Sequence, residues 1–429
     1  MSIGLHPNCL SNLKAKLEAA LDGVIITNNM FLDRGSLGSF LALESSLPSS
    51  KDFKLKLESY ISESPIYDFL FGQLSRELYE TQKFASNTPT IHLIDITTYS
   101  NKQDVSRRLI DSFESLPWDY VFTFALNAEI SKHIMQPELQ LTGDIKLIRP
   151  SEDFKNRFSL KSGIPGRDRW LHGSGFYGLL GTPAEWDANL AYIQISRKGY
   201  VGKFLTTTPE YSAIEEFKSI LGLAIAIRAF EVRYSSSSTT SKERIYIHQN
   251  NDNSFQIVDN AELDEAVSKT ISELRVDDLN GKLTTDEKKS FFVDNRLNFL
   301  AKALVRESGK ERLLLSGKWI FDSYCGQNEL LSFIQTMVAL EILLGDKAVS
   351  DLIGLTELLR NRCAYLIGKS YQQREDILKD FKDIYEIRSK IVHRGKGRLT
   401  KDERNLFHKL QWMVNRVIQE EIELIAESN

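Results

Sequence analysis

Cysteine is scarce in this 429-residue chain: Cys9, Cys325 and Cys363 are its only three. They are too widely separated for a disulfide framework or a paired-thiol zinc site, which predicts a reducing, cytoplasmic setting. Proline is absent after Pro209, although ten occur up to that point. Proline breaks helices and interrupts sheets, so the asymmetry predicts an irregular, mixed first half and a mostly helical second half. Long apolar runs are missing as well. A membrane helix needs about 20 apolar residues, whereas the longest candidate here, Ile220 to Ile227, ends at Arg228 and reads as a buried helix. Lys14, Lys16 and Glu18 arrive too early for the apolar core of a secretory signal. Positive charge is not in excess, with a net charge of −4. That excludes a wholly basic nucleic-acid coat and requires any nucleic-acid contact to come from a local patch. No GxxxxGK[ST], HExxH or paired CxxC occurs, so no metal and no cofactor is expected. The one GxGxxG match, within His172 to Gly178, follows Arg167, Asp168 and Arg169 and is soon followed by Pro183. A dinucleotide fingerprint needs a strand before it and a helix after it, so this stretch reads as a loop.

Hydrophobic content of 42% gives each of two or three domains enough apolar surface for a core. Residues 1–150 alternate helix and strand patterns. Leu13 to Leu21, Tyr67 to Phe84 and Val105 to Phe113 have helical spacing; Val24 to Thr27, Ile91 to Tyr99, Tyr120 to Leu126 and Ile145 to Ile148 are β-rich. Residues 151–187 are rich in Gly, Pro and charge and read as loops. Ala191 to Leu205, turning at Arg197 to Gly199, reads as a β-hairpin, with the apolar helix Ile214 to Phe230 packed under it. Phe230 to Tyr234 and Arg244 to Gln249 read as strands around the polar run Ser235 to Ser241. The segment 151–260 thus forms a second, sensor or linker region. From Asn260 onward the pattern is helical, over about 261–274, 285–307, 310–322, 328–345, 347–367, 373–393 and 400–426. The expected fold class is therefore α+β, a mixed α/β N-terminal region followed by an all-α bundle in 261–429.

The chain is organised around Phe381 to Gly395, which reads FKDIYEIRSKIVHRG. Phe381, Ile384, Tyr385, Ile391 and Val392 follow helical spacing, and Gly395 and Gly397 supply stop signals. Arg388 falls on the apolar stripe, where an arginine needs a partner or a task, and His393 follows five residues later. Two other charges interrupt apolar stripes. Glu341 lies among Ile334, Met337, Val338 and Leu344; Arg362 lies among Leu355, Leu358, Leu359 and Leu366. A buried acid and a buried base on neighbouring helices are expected to pair, and a second possibility is that one of them orients His393. Lys390, Arg394, Lys396 and Arg398 make this the densest basic stretch of the chain, suited either to RNA phosphates or to the negative end of a helix dipole.

The Arg-x4-His pattern resembles the signature of HEPN domains, small helical bundles of which many are metal-independent ribonucleases. Three ordered segments are closer still to the Apea-like branch: Val338 to Gly345 (VALEILLG), Leu359 to Gly368 (LRNRCAYLIG) and Tyr385 to His393 (YEIRSKIVH). The resemblance covers about residues 290–429. It implies an endoribonuclease with Arg388 and His393 as catalytic residues, Ser389, Glu341 and Arg362 in support, and Lys390, Arg394, Lys396 and Arg398 on RNA. In many HEPN nucleases Asn, Asp or His follows the arginine; here it is Ser389. A five-residue step turns through about 140°, so the two side chains of one copy do not converge. The resemblance implies a homodimer through the C-terminal bundle, with a composite site at its two-fold axis. It also implies RNA, transfer RNA included, as substrate, an unknown activator at the N-terminal region, no membrane partner, and a role as a toxic effector in antiphage defence. The rival readings are a catalytically inactive HEPN module that binds RNA or dimerises, and a small-molecule enzyme in the N-terminal half.

Overall fold

The computed structural model describes residues 2–82, 84–85, 88–161, 185–234, 242–251, 254–326, 328–345 and 354–427. The stretches His172 to Gly178 and Ser235 to Ser241 lie outside the described residues.

The first 116 residues fold around their own core. Helices α1 (Pro7–Ala20), α2 (Gly38–Leu43), α3 (Lys51–Tyr60), α4 (Pro65–Thr81) and α5 (Lys102–Glu114) surround a small antiparallel sheet. Its strands, β1 (Ile25–Thr27), β2 (Phe31–Leu32) and β3 (Ile91–His92), run in the order β2-β1-β3. The helices start where the sequence supplies a cap: the Ser50 hydroxyl accepts from Phe53 N–H, and Asn101 accepts from Asp104 N–H. Leu17, Phe40, Phe69, Leu109 and Phe113 fill the interior. Most of the β-rich run after Ile91 is not strand, since Leu93–Asp95 and Thr97–Tyr99 are 3-10 turns. The Asp95 carboxylate takes the His92 N–H at 3.1 Å, a local bond that competes with a sheet ladder.

A second, six-stranded sheet is antiparallel throughout. It contains β4 (Trp118–Ala125), β5 (Glu138–Gln140), β6 (Ile145–Ile148), β7 (Tyr192–Gly199), β9 (Arg244–Asn251) and β10 (Ser254–Glu262), in the order β10-β9-β4-β7-β6-β5. The short pair β8 (Phe230–Val232) and β11 (Leu274–Val276) stands apart. Strands from before and after residue 150 are hydrogen-bonded together, so the boundary expected there runs through one sheet. Two short helices, α6 (Ala128–Ser131) and α7 (Glu152–Arg157), lie in its connections. One face of the sheet packs on α8 (Thr208–Ala226), where Phe124 stacks on Phe217 at 4.3 Å. The other face is covered by Phe154, Phe158 and Trp186.

The expected hairpin does not form. Residues 192–199 are one strand between β4 and β6, and the chain then leaves the sheet. Tyr200 N–H donates to the Tyr60 carbonyl at 2.8 Å, and Thr208 N–H donates to the Ile61 carbonyl at 2.8 Å. Gly199 permits this exit: a Cβ there would collide with Pro209 and the Tyr60 carbonyl. The helix expected from 261 begins later, because β10 runs to Glu262 and α9 spans Glu265–Ser272.

The remainder is helical: α10 (Asp286–Leu304), α11 (Lys310–Cys325), α12 (Glu329–Leu344), α13 (Leu355–Ile367), α14 (Tyr371–Arg394) and α15 (Lys401–Glu427). The chain is thus an α+β fold with a helical C-terminal region. The sheet and the bundle share one apolar core, which runs from Phe122 and Ile193 through α8 to Phe381 and Ile418. Their joint is the α8–α11 crossing. There Gly222 and Gly317 let the two backbones touch, since a Cβ on either would strike the opposite helix's carbonyls. Among the described residues no helix is long and apolar enough to cross a membrane.

Candidate functional site

Helix α14 carries the candidate chemistry. Ser370 caps its start by accepting from Gln373 N–H at 3.2 Å. Gly395, at φ +63°, ends it in the left-handed conformation that glycine adopts without strain. Ile377, Phe381, Ile384 and Ile387 are its buried positions. Val392, expected on the apolar stripe, is instead 50% exposed. One turn before Val392, Arg388 sits at the margin of the buried face with its side chain 27% exposed.

Arg388 meets Glu341 of α12. Its Nε lies 3.8 Å from Oε1, the outer limit of an ion pair. That carboxylate oxygen is buried and has no hydrogen-bond partner. Burial pushes the Glu341 carboxyl above its ordinary range, and Arg388 pulls against that shift. The guanidinium also lies over the Tyr385 ring, 5.7 Å from its centre. Among the described residues it makes no hydrogen bond, which leaves its planar donor fork unused. Such a fork is suited to two oxygens of a phosphate.

The expected contact between Glu341 and Arg362 is not made. Arg362 Nη1 donates to the Leu344 carbonyl at 2.9 Å, satisfying an acceptor at the C-terminal end of α12. Glu341 projects toward α14 instead, so its charged partner is Arg388. Ser389 is half-buried on α14. His393 is exposed in the last turn of that helix. It stands five residues beyond Arg388, about 7.5 Å along the axis and about 140° around it. The two side chains of one copy therefore point in different directions.

The basic residues divide into two pairs. Lys390 is held by Glu386 at 2.8 Å, within one helix turn. Lys396 is held by Glu403 at 2.9 Å, with both side chains largely covered. Burial raises the Glu403 carboxyl, but hydrogen bonds from Thr400 and Lys396 outweigh it and the net shift is downward. Glu403 accepts from Thr400 N–H while Thr400 accepts from Glu403 N–H, and this reciprocal pair opens α15. Arg394 and Arg398 are exposed. Two of the four expected phosphate contacts thus point to solvent, and two are engaged in ion pairs. No three His, Cys, Asp or Glu side chains among the described residues are placed to hold a metal ion.

Sequence reasoning placed Arg388, Glu341 and His393 on the right helices but paired the wrong charges. Periodicity gives the face of each helix and not the rotation of one helix against another. No family model matches the chain, and neither a curated protein nor a solved structure does.

Proposed function

We propose that the protein is an endoribonuclease of the HEPN type, cleaving RNA without a metal at a composite site between two copies of its C-terminal bundle. The observation that carries this is the Arg388 guanidinium, held at the edge of α14 by a 3.8 Å charge contact while its hydrogen-bond donors are unused. The half-exposed Val392 on the adjoining turn offers an apolar contact for a second copy, across which Arg388 of one copy and His393 of the other would meet.

In this reading His393 moves a proton and Arg388 binds the phosphate. The 2′-oxygen attacks phosphorus as its proton is removed, and the 5′-oxygen leaves as it gains one. The products are a 2′,3′-cyclic phosphate and a 5′-hydroxyl. Histidine suits the transfer because its ordinary pKa lies near neutrality. Arginine suits the charge developing at phosphorus. RNA, transfer RNA included, is the substrate class, the N-terminal region is the sensor of an activator, and the setting is cytoplasmic defence.

The test incubates the purified chain with total RNA in EDTA. Cleavage to cyclic-phosphate ends is expected. It should disappear in both His393→Ala and Arg388→Ala while the melting temperature stays within a few degrees. Light scattering should show a dimer. A second reading, a catalytically inactive HEPN module that binds RNA or dimerises, is favoured by one observation: no single copy brings Arg388 and His393 together, while Arg394 and Arg398 stay exposed for phosphates. RNA retained without cleavage would select it.

A further inference from the structure

Phe204 combines two features that oppose one another. Its backbone takes φ +63°, a conformation that strains a bulky residue and that glycine adopts freely. Its ring is nevertheless 43% exposed, so burial does not offset the strain. A ring kept under those conditions points to a contact outside the chain. We propose that Phe204 and its neighbours form a stacking platform for single-stranded nucleic acid at the rim of the N-terminal core.

The platform is held in place before anything binds. The Phe204 ring centre lies 5.8 Å from that of Phe31 on β2 and 5.9 Å from that of Tyr79 on α4. Phe84 extends the row beyond Phe31, at 6.1 Å, and is 53% exposed. The Phe204 carbonyl accepts from Arg34 Nη2 at 3.3 Å. Lys203 is tied by a 2.7 Å ion pair to Asp259 of β10, and its ammonium lies 4.8 Å from the Tyr79 ring centre and 5.5 Å from that of Phe204. Elements distant in sequence thus fix one exposed ring, so a ligand that stacks on it loses little in ordering it. Charge then selects the ligand. Rings alone would accept any apolar side chain. Lys203 is already matched by Asp259, but Arg34 is exposed and makes no ion pair among the described residues. Its guanidinium lies 4.9 Å from the Phe71 ring centre, and the bond to Phe204 uses one of its donors, which leaves the rest for a phosphate. A nucleotide presents this pair of groups, a flat base beside an anionic phosphate. A duplex buries its base faces in the stack, so only a single strand offers them. With a net charge of −4 the chain has no general attraction for nucleic acid, and a local site of this kind is what contact requires.

The inference does not depend on the ribonuclease reading, and the probe keeps the two apart. Fluorescence anisotropy follows a labelled oligodeoxythymidylate of about 12 nucleotides titrated with the full chain. This strand lacks the 2′-hydroxyl that the proposed cleavage needs. Saturable binding is expected, at least about tenfold tighter than that of a duplex of the same length. Phe204→Gly removes the ring and relieves the backbone, so the fold should be kept while binding weakens about tenfold. Phe204→Trp restores a stacking face and should bind at least as tightly as wild type. Arg34→Gln should weaken binding about two- to threefold and lower the slope of log affinity against log salt by about 0.7. No saturable binding up to about 100 µM, equal affinity for the duplex, or full affinity in Phe204→Gly would overturn the inference. Binding lost in the Arg394→Ala, Arg398→Ala double variant but kept in Phe204→Gly would overturn it as well, by placing the strand on the loop after α14. Displacement of the strand by poly-glutamate at equal charge would assign the surface to an acidic protein instead.

Discussion

Two of the charged interhelix contacts of this molecule are built differently. At the α8–α11 crossing, Lys218 lies 3.0 Å from Glu215 and 3.1 Å from Asp322, and Lys318 comes onto Glu215 as well. All these side chains are largely covered, and cations and acids are matched in number. At the α12–α14 contact a single guanidinium faces a single carboxylate at 3.8 Å, with no hydrogen bond between them. The first arrangement leaves no cation free to act on a ligand. The second leaves one charge within reach of solvent and its donors unspent. A hydrogen-bonded buried network locks a joint, whereas an edge pair without hydrogen bonds is the arrangement a phosphate can enter.

The largest expected effect is at the joint itself. Replacing Gly222 with Ala would normally stabilise a helix by about 1 kcal/mol. Here the added Cβ would collide with the Gly317 carbonyl, so the helices must separate. A net loss of about 3 kcal/mol or more is expected in chemical denaturation, with sheet and bundle destabilised together because they share one core. The opposite sign would mean that the crossing is loosely packed.

Next in size is a pH effect that separates two histidines. His393 is exposed at the end of α14, whereas His248 is fully buried in β9, with Nε2 3.1 Å from the Ser159 carbonyl and Trp186 stacked beside it. Burial pushes the His248 pKa down to about 4. The folded state therefore holds this ring neutral where the unfolded chain would protonate it. Its contribution is present above about pH 6.5 and is lost as the pH falls toward 4, amounting to about 2–3 kcal/mol by pH 4.5. His248→Gln keeps a donor for Ser159 and removes the titration. The difference in unfolding free energy between wild type and variant should narrow from pH 7 to pH 4.5. A constant difference would show that His248 is charged in the fold.

Much of the fold was legible in the sequence, and the missing parts have physical reasons. The absence of proline after Pro209 and the regular apolar spacing placed the bundle helices; α14, expected over 373–393, spans Tyr371–Arg394. Helix spacing is local, so it survives any tertiary arrangement. Gly199 misled because it sits where a hairpin turn would, yet serves a close approach to Tyr60. The strand β10 was hidden by Asp259, Asn260 and Glu262, which are poor strand formers placed at the sheet's edge, where Asp259 is held by a 2.7 Å ion pair to Lys203. The Glu341–Arg388 contact could not be chosen over Glu341–Arg362, because both cations lie on stripes of suitable spacing. A cavity of about 780 Å³ beside Cys325 gave no signal at all. Its lining runs from Tyr234 to Gln411, and only the fold brings it together.

A smaller effect tests the matched network. Lys218→Met removes one cation from a site shared with Glu215 and Asp322, all about 15% exposed. Lys318 remains beside Glu215, so the loss should stay near 2 kcal/mol rather than the larger cost of stranding a lone buried charge. Adding Asp322→Leu to Lys218→Met should recover part of it. If the double variant is no more stable than Lys218→Met, the network is not the source of the loss.

The smallest expected effect is the loss of Arg388, and its size decides which side of the contrast the residue belongs to. Arg388 is partly exposed and touches Glu341 only at 3.8 Å, so truncation should cost less than about 1 kcal/mol at neutral pH. The pH dependence should have a definite sign. The Glu341 carboxyl already lies above its ordinary range, chiefly through burial, and Arg388 restrains that shift. Without Arg388 it rises further, so the variant's folded state holds a proton to higher pH than wild type does. At low pH both proteins carry a neutral Glu341 and should be equally stable. As the pH rises past the wild-type titration, the variant alone must either keep the proton or bury an unpaired charge, so its deficit should grow. Denaturation of wild type and Arg388→Ala at pH 5 and pH 8 should therefore show the smaller gap at the lower pH and the larger gap at the higher. A penalty as large as that of Lys218→Met at both pH values would make Arg388 a structural cation, with no spare bonding capacity for RNA.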